Sequence, residues 1–301
     1  MKILLLGANG QVGWELQRSL APLGQLKACD HNTVDLAKID ELQASIRDFS
    51  PAIIVNAAAY TAVDMAESEA EKARRINAEA VAELAAEAKC LDAWLIHYST
   101  DYIFDGTKSA AYIETDSAKP QSVYGKTKLE GEEAIRKSGC KHLIFRTSWV
   151  YAARGSNFAK TMLRLAKERD ELNVVGDQVG VPTSAELIAD ITALCLYRVN
   201  NDNAFGKQAV GTYNLSPSGE TNWHEYARYV IAEAQHYGVT LRAKPENIHP
   251  ISTSEYPLPA KRPANSLLDT KKLTNTFSVH MPVWRTQVKR LVSELIMKGE
   301  L

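Results

Sequence analysis

The sequence predicts an α/β protein: a Rossmann-type doubly wound parallel sheet followed by a smaller mixed α/β domain. Three observations carry this expectation. Short apolar runs bounded by turn residues alternate with longer stretches of helical periodicity through the first half, the pattern of a parallel sheet covered on both faces. The first run leads straight into a glycine-rich turn that opens a helical pattern. Beyond Trp149 the rhythm loosens, as expected where a sheet domain gives way to a cap.

In chain order, strands are expected at Ile3–Leu6, Leu26–Asp30, Ile53–Ala57, Trp94–Tyr98 and His142–Arg146, with helices starting near Gln11, Lys38, Glu67 and Ser122. Further helices are expected at Asn157–Glu168, Ser184–Arg198, Asn222–His236 and Trp284–Met297. Prolines 245, 250, 257, 259 and 263 suit an extended, irregular segment better than a helix. We divide the chain into a nucleotide-binding domain, 1–150, and a mainly substrate-facing domain, 151–301, part of which is expected to return to the first. At 301 residues, each unit can bury a core.

Bulk properties exclude several classes of function. Lys and Arg number 35 and Asp and Glu 36, so no electrostatic footprint for a nucleic acid is expected. The four cysteines, Cys29, Cys90, Cys140 and Cys195, are far apart and lack metal-ligand spacing, which suits idle thiols in a reducing cytoplasm. Ile3–Leu6 is far shorter than the apolar region of a signal peptide, and no run approaches the roughly 20 residues that span a bilayer. A soluble cytoplasmic protein without membrane contacts is expected.

The glycine turn reads Gly7-Ala8-Asn9-Gly10-Gln11-Val12-Gly13. Glycines permit a tight turn, close approach of a pyrophosphate to backbone N–H groups, and close packing of helix on strand. The helix N-terminus adds partial positive charge for the phosphates. Its GxxGxxG spacing is the short-chain dehydrogenase variant of the dinucleotide fingerprint. Asp30 ends the second strand where an acid meets the adenine ribose, although a solvated strand-end carboxylate would look the same. An acid there favours NADH, and nothing in His31-Asn32 excludes the 2′-phosphate of NADPH. Asp35-Leu36 and Asn56–Thr61 follow the second and third strands, with small residues that let a cofactor pass.

Tyr124 and Lys128 stand at i and i+4 on one helix face. A phenol with a free pKa of about 10 can protonate an alkoxide, and an ammonium beside it would lower that pKa. YxxxK alone also arises as an ordinary surface pair. Here it begins a helix after the fourth strand of a dinucleotide fold, where a catalytic reading is favoured. That strand ends in Ser99-Thr100-Asp101, and a hydroxyl there can hold a substrate carbonyl oxygen toward Tyr124. Alternation along the strand points one of Ser99 and Thr100 to the site and the other away, and of the two Thr100 is chosen.

With these residues the chain resembles the extended short-chain dehydrogenases and, within them, the dTDP-4-dehydrorhamnose reductase family. The resemblance runs nearly end to end: Gly7–Leu16, Val55–Asp64, Tyr98–Phe104, Tyr124–Lys128, Phe145–Tyr151, Asn157–Leu163 and Arg262–Ser266. It implies NAD(P)H-dependent reduction of dTDP-4-dehydro-L-rhamnose to dTDP-L-rhamnose. That is the last step toward the activated sugar of cell-surface polysaccharides such as the O-antigen of lipopolysaccharide. By position it implies cofactor contacts from Gly7, Gly10, Gln11, Val12, Gly13, Asp30, Asp35, Leu36, Ala59, Tyr60, Thr61, Tyr98, Tyr124 and Lys128. Thr100, Tyr124 and Lys128 would be catalytic, and Thr100, Asp101 and Trp149 would contact substrate. A homodimer bridged by magnesium would use Glu15, Glu186 and Glu294, although glutamates on helix faces are ordinarily solvated.

Two rival readings share the fold. A nucleotide-sugar dehydratase or epimerase is one, but dehydratases follow the active-site Thr-Asp with Glu, where this chain has Tyr102. The other is a non-catalytic NAD(P)-binding regulatory subunit, since the fold also resembles one of methionine adenosyltransferase. Intact Thr100, Tyr124 and Lys128 favour the enzyme.

Overall fold

The computed structural model describes residues 1–301. Six parallel strands form the central sheet: β1 (Lys2–Leu6), β2 (Gln25–Cys29), β3 (Ile53–Asn56), β4 (Trp94–Thr100), β5 (Lys141–Thr147) and β10 (Gly211–Asn214). Their order across the sheet is β10-β5-β4-β3-β1-β2. The chain therefore reverses its direction of travel at β1, and the crevice between the carboxyl ends of β1 and β3 is the topological switch point.

Strand periodicity divides the core. Ile3, Leu5, Ile53, Val55, Ile96 and Phe145 point to one face. There they pack on Leu16 and Leu20 of α1 (Gln11–Leu20) and on Ile188 and Ile191 of α8 (Ala185–Asn201). Leu4, Leu6, Ile54, Leu95 and Ile144 point to the other. They meet Leu42 and Ile46 of α2 (Ile39–Phe49), Leu84 of α5 (Ala80–Cys90) and Ile135 of α6 (Val123–Ser138). Helix α6 has firm ends: Ser122 Oγ accepts from the Gly125 N–H, and Gly139 closes it at φ +65.

Between β3 and α5 the expected single helix is broken into α3 (Val63–Ala66), α4 (Ala70–Arg74) and a π-helical turn over Arg75–Glu79. The second half carries its own core on α7 (Phe158–Glu168), α10 (Trp223–His236) and α12 (Trp284–Met297). Four short pieces, β6 (Val150–Tyr151), β7 (Leu172–Val175), β8 (Val179–Gly180) and β9 (Thr183–Ser184), lie between β5 and α8. They pair with β9, β12 (Ile248–Ile251), β11 (Thr221–Asn222) and β6 respectively. The proline-rich segment is thus not wholly irregular. Pro250 sits inside β12, which a two-stranded edge tolerates because no second neighbour needs its missing N–H. Helices α9 (Asn203–Ala209) and α11 (Lys271–Phe277) complete the chain. Residues of α8, β10 and α11 belong to the core of the first half, so the two units interleave beyond residue 150. No helix is long and apolar enough to cross a membrane.

Candidate active site

Gly7 ends β1 in the left-handed region at φ +81, and a Cβ there would lie 2.6 Å from the Ala58 backbone nitrogen. A side chain on Gly13 would strike the Gly7 carbonyl, so α1 can rest this close to β1 only on glycine. Gly10, extended at φ −71 and ψ 169, is the N-cap of α1 and has no side chain to cover the first-turn N–H groups. They stay available to an anion at the switch point, flanked by Gln11 and Val12. The cap reaches back over this turn: Asn157 Nδ2 donates to Gln11 Oε1 at 3.2 Å, and Arg154 Nε donates to the Asn9 carbonyl at 3.2 Å.

Asp30 accepts from Asn9 Nδ2 at 2.6 Å and from the Thr33 N–H and hydroxyl at 3.0 and 2.7 Å. The Thr33 hydroxyl and N–H bonds foremost lower its pKa and keep the rim acid ionised. Asp35 caps the Ala37 N–H at 2.9 Å, whereas Leu36 is buried in the core. Beyond β3, Ala59 and Thr61 are partly or fully exposed, while the Tyr60 ring is buried and its hydroxyl donates to Glu69 at 3.1 Å.

At the end of β4, Thr100 and Asp101 are buried, and Thr100 Oγ1 donates to Asp101 Oδ1 at 3.1 Å. The Tyr124 ring is partly exposed, and its hydroxyl lies beside Thr100. Burial raises the Tyr124 pKa, partly offset by the Thr100 hydroxyl. The group is therefore a phenol holding its proton. Burial also pushes Asp101 up to about 6, and one of its oxygens is buried without a partner. Tyr102 packs edge-on to Tyr124, and beyond it Arg262 pairs with Asp64.

Lys128 is buried and is not a hydrogen-bond partner of the Tyr124 hydroxyl, contrary to the expected phenol–ammonium contact. Its Nζ donates to the Tyr98 carbonyl at 2.7 Å and lies 3.2 Å from His97 Nε2. Tyr98 offers the site only that carbonyl; its hydroxyl bonds Thr192 at 2.8 Å in the core. In the sequence Asn56 counts only as the start of the small-residue segment after the third strand and His97 has no role, although a polar residue inside an apolar strand run is a signal that points to both.

Trp149 follows β5, the strand paired with β4, with a strained φ of +47. Trp223 stacks on its ring at 3.6 Å, and Gly180 lies close against it, so only part of the indole can meet a ligand. Glu15, Glu186 and Glu294 line one small pocket with Tyr151. Burial first, then the nearby Glu186, raises the Glu15 pKa. Yet each glutamate has a basic neighbour, Arg18, Arg290 and Lys298 respectively, and within the single chain the three do not form a cluster poised for a metal ion.

A proton-bearing phenol held beside a strand-end hydroxyl, one helical turn from a buried lysine and across the sheet edge from a glycine phosphate cradle, defines an extended short-chain dehydrogenase. Residues 1–297 match the RmlD substrate binding domain family, and the chain belongs to that family. It is 51% identical over 299 residues to the dTDP-4-dehydrorhamnose reductase of Escherichia coli (strain K12), with 98% of each chain covered. Among solved structures, a dTDP-4-dehydrorhamnose reductase from Clostridium acetobutylicum is similar at TM-score 0.88 and 34% identity, covering 99% of this chain and 100% of that one. The enzyme of that name from Bacillus anthracis, in complex with NADP, is similar at TM-score 0.86 and 33% identity over 97% of this chain and 99% of its own.

Proposed function

We propose that the chain reduces the 4-keto group of dTDP-4-dehydro-L-rhamnose to give dTDP-L-rhamnose. The product is the activated sugar for cell-surface polysaccharide, including O-antigen, and the reaction takes place in the cytoplasm. The observation that carries this reading is the Thr100–Tyr124 hydroxyl pair at the end of β4, in a chain similar along its whole length to reductases of that name. The cradle of Gly7, Gly10, Gln11, Val12 and Gly13 fits a dinucleotide pyrophosphate, because glycine at 7 and 13 lets α1 sit close on β1 and Gly10 leaves the first-turn N–H groups uncovered. NADP in the Bacillus anthracis relative supports NADPH, and ionised Asp30 suits the ribose of NADH. Asp35, Leu36, Ala59, Tyr60 and Thr61 would border the adenine half.

When bound, the reduced nicotinamide supplies the hydride. Thr100 orients the substrate's carbonyl oxygen, and Asp101 and Trp149 hold the sugar. Tyr124, kept protonated by burial, gives its proton to the oxygen as negative charge develops there. Lys128 would hold the nicotinamide ribose and keep Tyr124 acidic enough to cycle, and since it does not touch the Tyr124 hydroxyl, the proton it supplies would pass through an intervening hydroxyl or water. Replacing Tyr124 with Phe keeps the ring and removes the acid, so kcat on dTDP-4-dehydrorhamnose should fall by at least about a hundredfold. NADPH affinity should be largely spared. Near-normal turnover by this variant would overturn the assignment of the acid.

A bridging magnesium fits less directly. Carboxylates are suitable hard ligands, but within one chain Glu15, Glu186 and Glu294 are already paired with bases. Any such metal would need ligands from a second copy, so it is proposed here only together with the homodimer, and no step of the reaction depends on it.

A further inference from the structure

Of the two ionisable side chains on β4, Tyr98 turns its hydroxyl to Thr192 in the core of one face, whereas His97 faces the other and is fully buried. His97 shares the parity of Leu95, so it faces the α6 side, as does its register partner Asn56 on β3. Asn56 Nδ2 lies 3.2 Å from His97 Nδ1, and His97 Nε2 lies 3.2 Å from Lys128 Nζ. The proposed reaction has so far used neither Asn56 nor His97.

The donors and acceptors in this chain can be assigned. The Ala58 N–H can only donate, and it meets Asn56 Oδ1 at 3.2 Å. The amide oxygen therefore points at Ala58 and Nδ2 at His97. An amide nitrogen only donates, so His97 Nδ1 must present a lone pair. Burial, reinforced by the charge of Lys128, lowers the His97 pKa well below its ordinary value, so the ring is neutral. Its one proton is then on Nε2, aimed at Lys128. An ammonium has three N–H bonds and no lone pair, and would set donor against donor. A neutral amine accepts the bond while still donating to the Tyr98 carbonyl.

The remaining neighbours do not reverse this preference. From α6, Glu132 favours the ammonium, but its carboxylate is shared by Arg146 of β5, at 2.9 and 2.7 Å, and Arg136 of α6, at 2.8 Å. Tyr124 on α6 is an uncharged phenol, and β4 presents only His97 and the Tyr98 carbonyl. Burial, only partly opposed by Glu132, brings Lys128 down to about 8.

We propose that Asn56 and His97 are positioning residues for proton return: Asn56 fixes the His97 tautomer, and the His97 Nε2–H stabilises the neutral amine that Lys128 becomes in each turnover. The inference rests on the reading of Tyr124 as the acid. As the Tyr124 O–H bond breaks, its proton goes to the substrate oxygen. An Nζ–H bond of Lys128, which does not touch the Tyr124 hydroxyl, then breaks; an intervening hydroxyl or water takes that proton and passes one of its own on to restore the tyrosine O–H. The electron pair left on Nζ accepts the His97 N–H, and a solvent proton later restores the ammonium.

Two spectra of the full chain test this without substrate. In protein labelled with 15N-histidine, the His97 signals, assigned by their loss in His97→Gln, should show a protonated Nε2 and an unprotonated Nδ1. In protein labelled with 13Cε-lysine, the Lys128 signal, assigned with Lys128→Met, should titrate near pH 8. In Asn56→Asp the carboxylate would accept a hydrogen bond from Nδ1–H, so the ring proton would move to Nδ1 and Nε2 would become an acceptor. The lysine midpoint should then rise by at least about one pH unit, a tenfold gain in proton affinity. The Lys128-dependent limb of the kcat profile should move with it, whereas a merely structural role would lower kcat at an unchanged midpoint. A wild-type His97 protonated on Nδ1, or an unmoved lysine midpoint in folded Asn56→Asp, would overturn the proposal. If Asn56→Asp does not fold, the wild-type tautomer decides. Absence of wild-type turnover would instead overturn the reductase reading, leaving the two spectra to judge this one.

Discussion

Asp101 is where the site costs the fold most visibly. Its carboxyl is buried, one oxygen has no partner, and burial holds its pKa near 6. An unfolded aspartate titrates near about 3.9. Between these values the folded chain binds the extra proton, so stability falls as pH rises through that window and stays low above it. The shift corresponds to roughly 2–3 kcal/mol. Asp101→Asn keeps an acceptor for the Thr100 hydroxyl but cannot ionise. It should therefore be more stable than the native chain at pH 7 by about 2 kcal/mol, with the difference vanishing below about pH 4. Urea unfolding at pH 7 and pH 4 measures both; an equal difference at the two pH values would contradict a burial penalty on the charge. Retaining such a carboxylate fits a residue kept for substrate rather than for stability.

Secondary-structure elements are tied together at the π-helical turn, where one asparagine replaces a whole set of backbone partners. Asn77 accepts from the Tyr60 N–H at 2.9 Å and donates to the Tyr60 carbonyl at 3.1 Å and to Thr127 Oγ1 at 3.2 Å. It thereby joins the loop after β3, the turn itself and the first turns of α6. Gly131 lets α6 approach this turn, since a Cβ there would strike the Asn77 carbonyl. Asn77→Ala would leave the buried Tyr60 N–H without its partner, at a cost of about 1–3 kcal/mol, with more from the loosened α6. The urea midpoint should drop with an unchanged slope, and loss of cofactor affinity should accompany it because Ala59–Thr61 border the proposed groove. A variant as stable as the native chain would show that the turn is held by packing alone.

At the scale of the whole molecule, the pocket of Glu15, Glu186 and Glu294 lies where α1, α8 and α12 meet, joining the two interleaved units. If a divalent cation bridges two copies through these glutamates, chelator should shift the sedimentation profile toward monomer, and added magnesium should restore it. A profile unchanged by either would remove the metal from the dimer. The same scale separates what was legible in sequence from what was not. Gly7–Gly13, Tyr124 with Lys128, the choice of Thr100, and most strands and helices could be read because each depends on residues close together in the chain. Periodicity of two or 3.6 and the needs of a tight turn are local constraints. The sixth strand β10, the strand β12 across Pro250, and the Asn77–Tyr60–Thr127 tie were not legible, because each exists only once distant segments have packed. His97 makes the difference plain. As a residue in an apolar run it could be a buried core histidine or nothing of note. Only the pairing of β3 with β4 and the seating of α6 on them bring Asn56, 41 residues before it, and Lys128, 31 after it, to its two ring nitrogens. The sequence by itself determined the fold class, the glycine turn and the Tyr124–Lys128 spacing from which the acid is proposed. The tertiary structure decided where Lys128 points and which proton faces it, since a buried donor must find its acceptor among whatever the packed neighbours present.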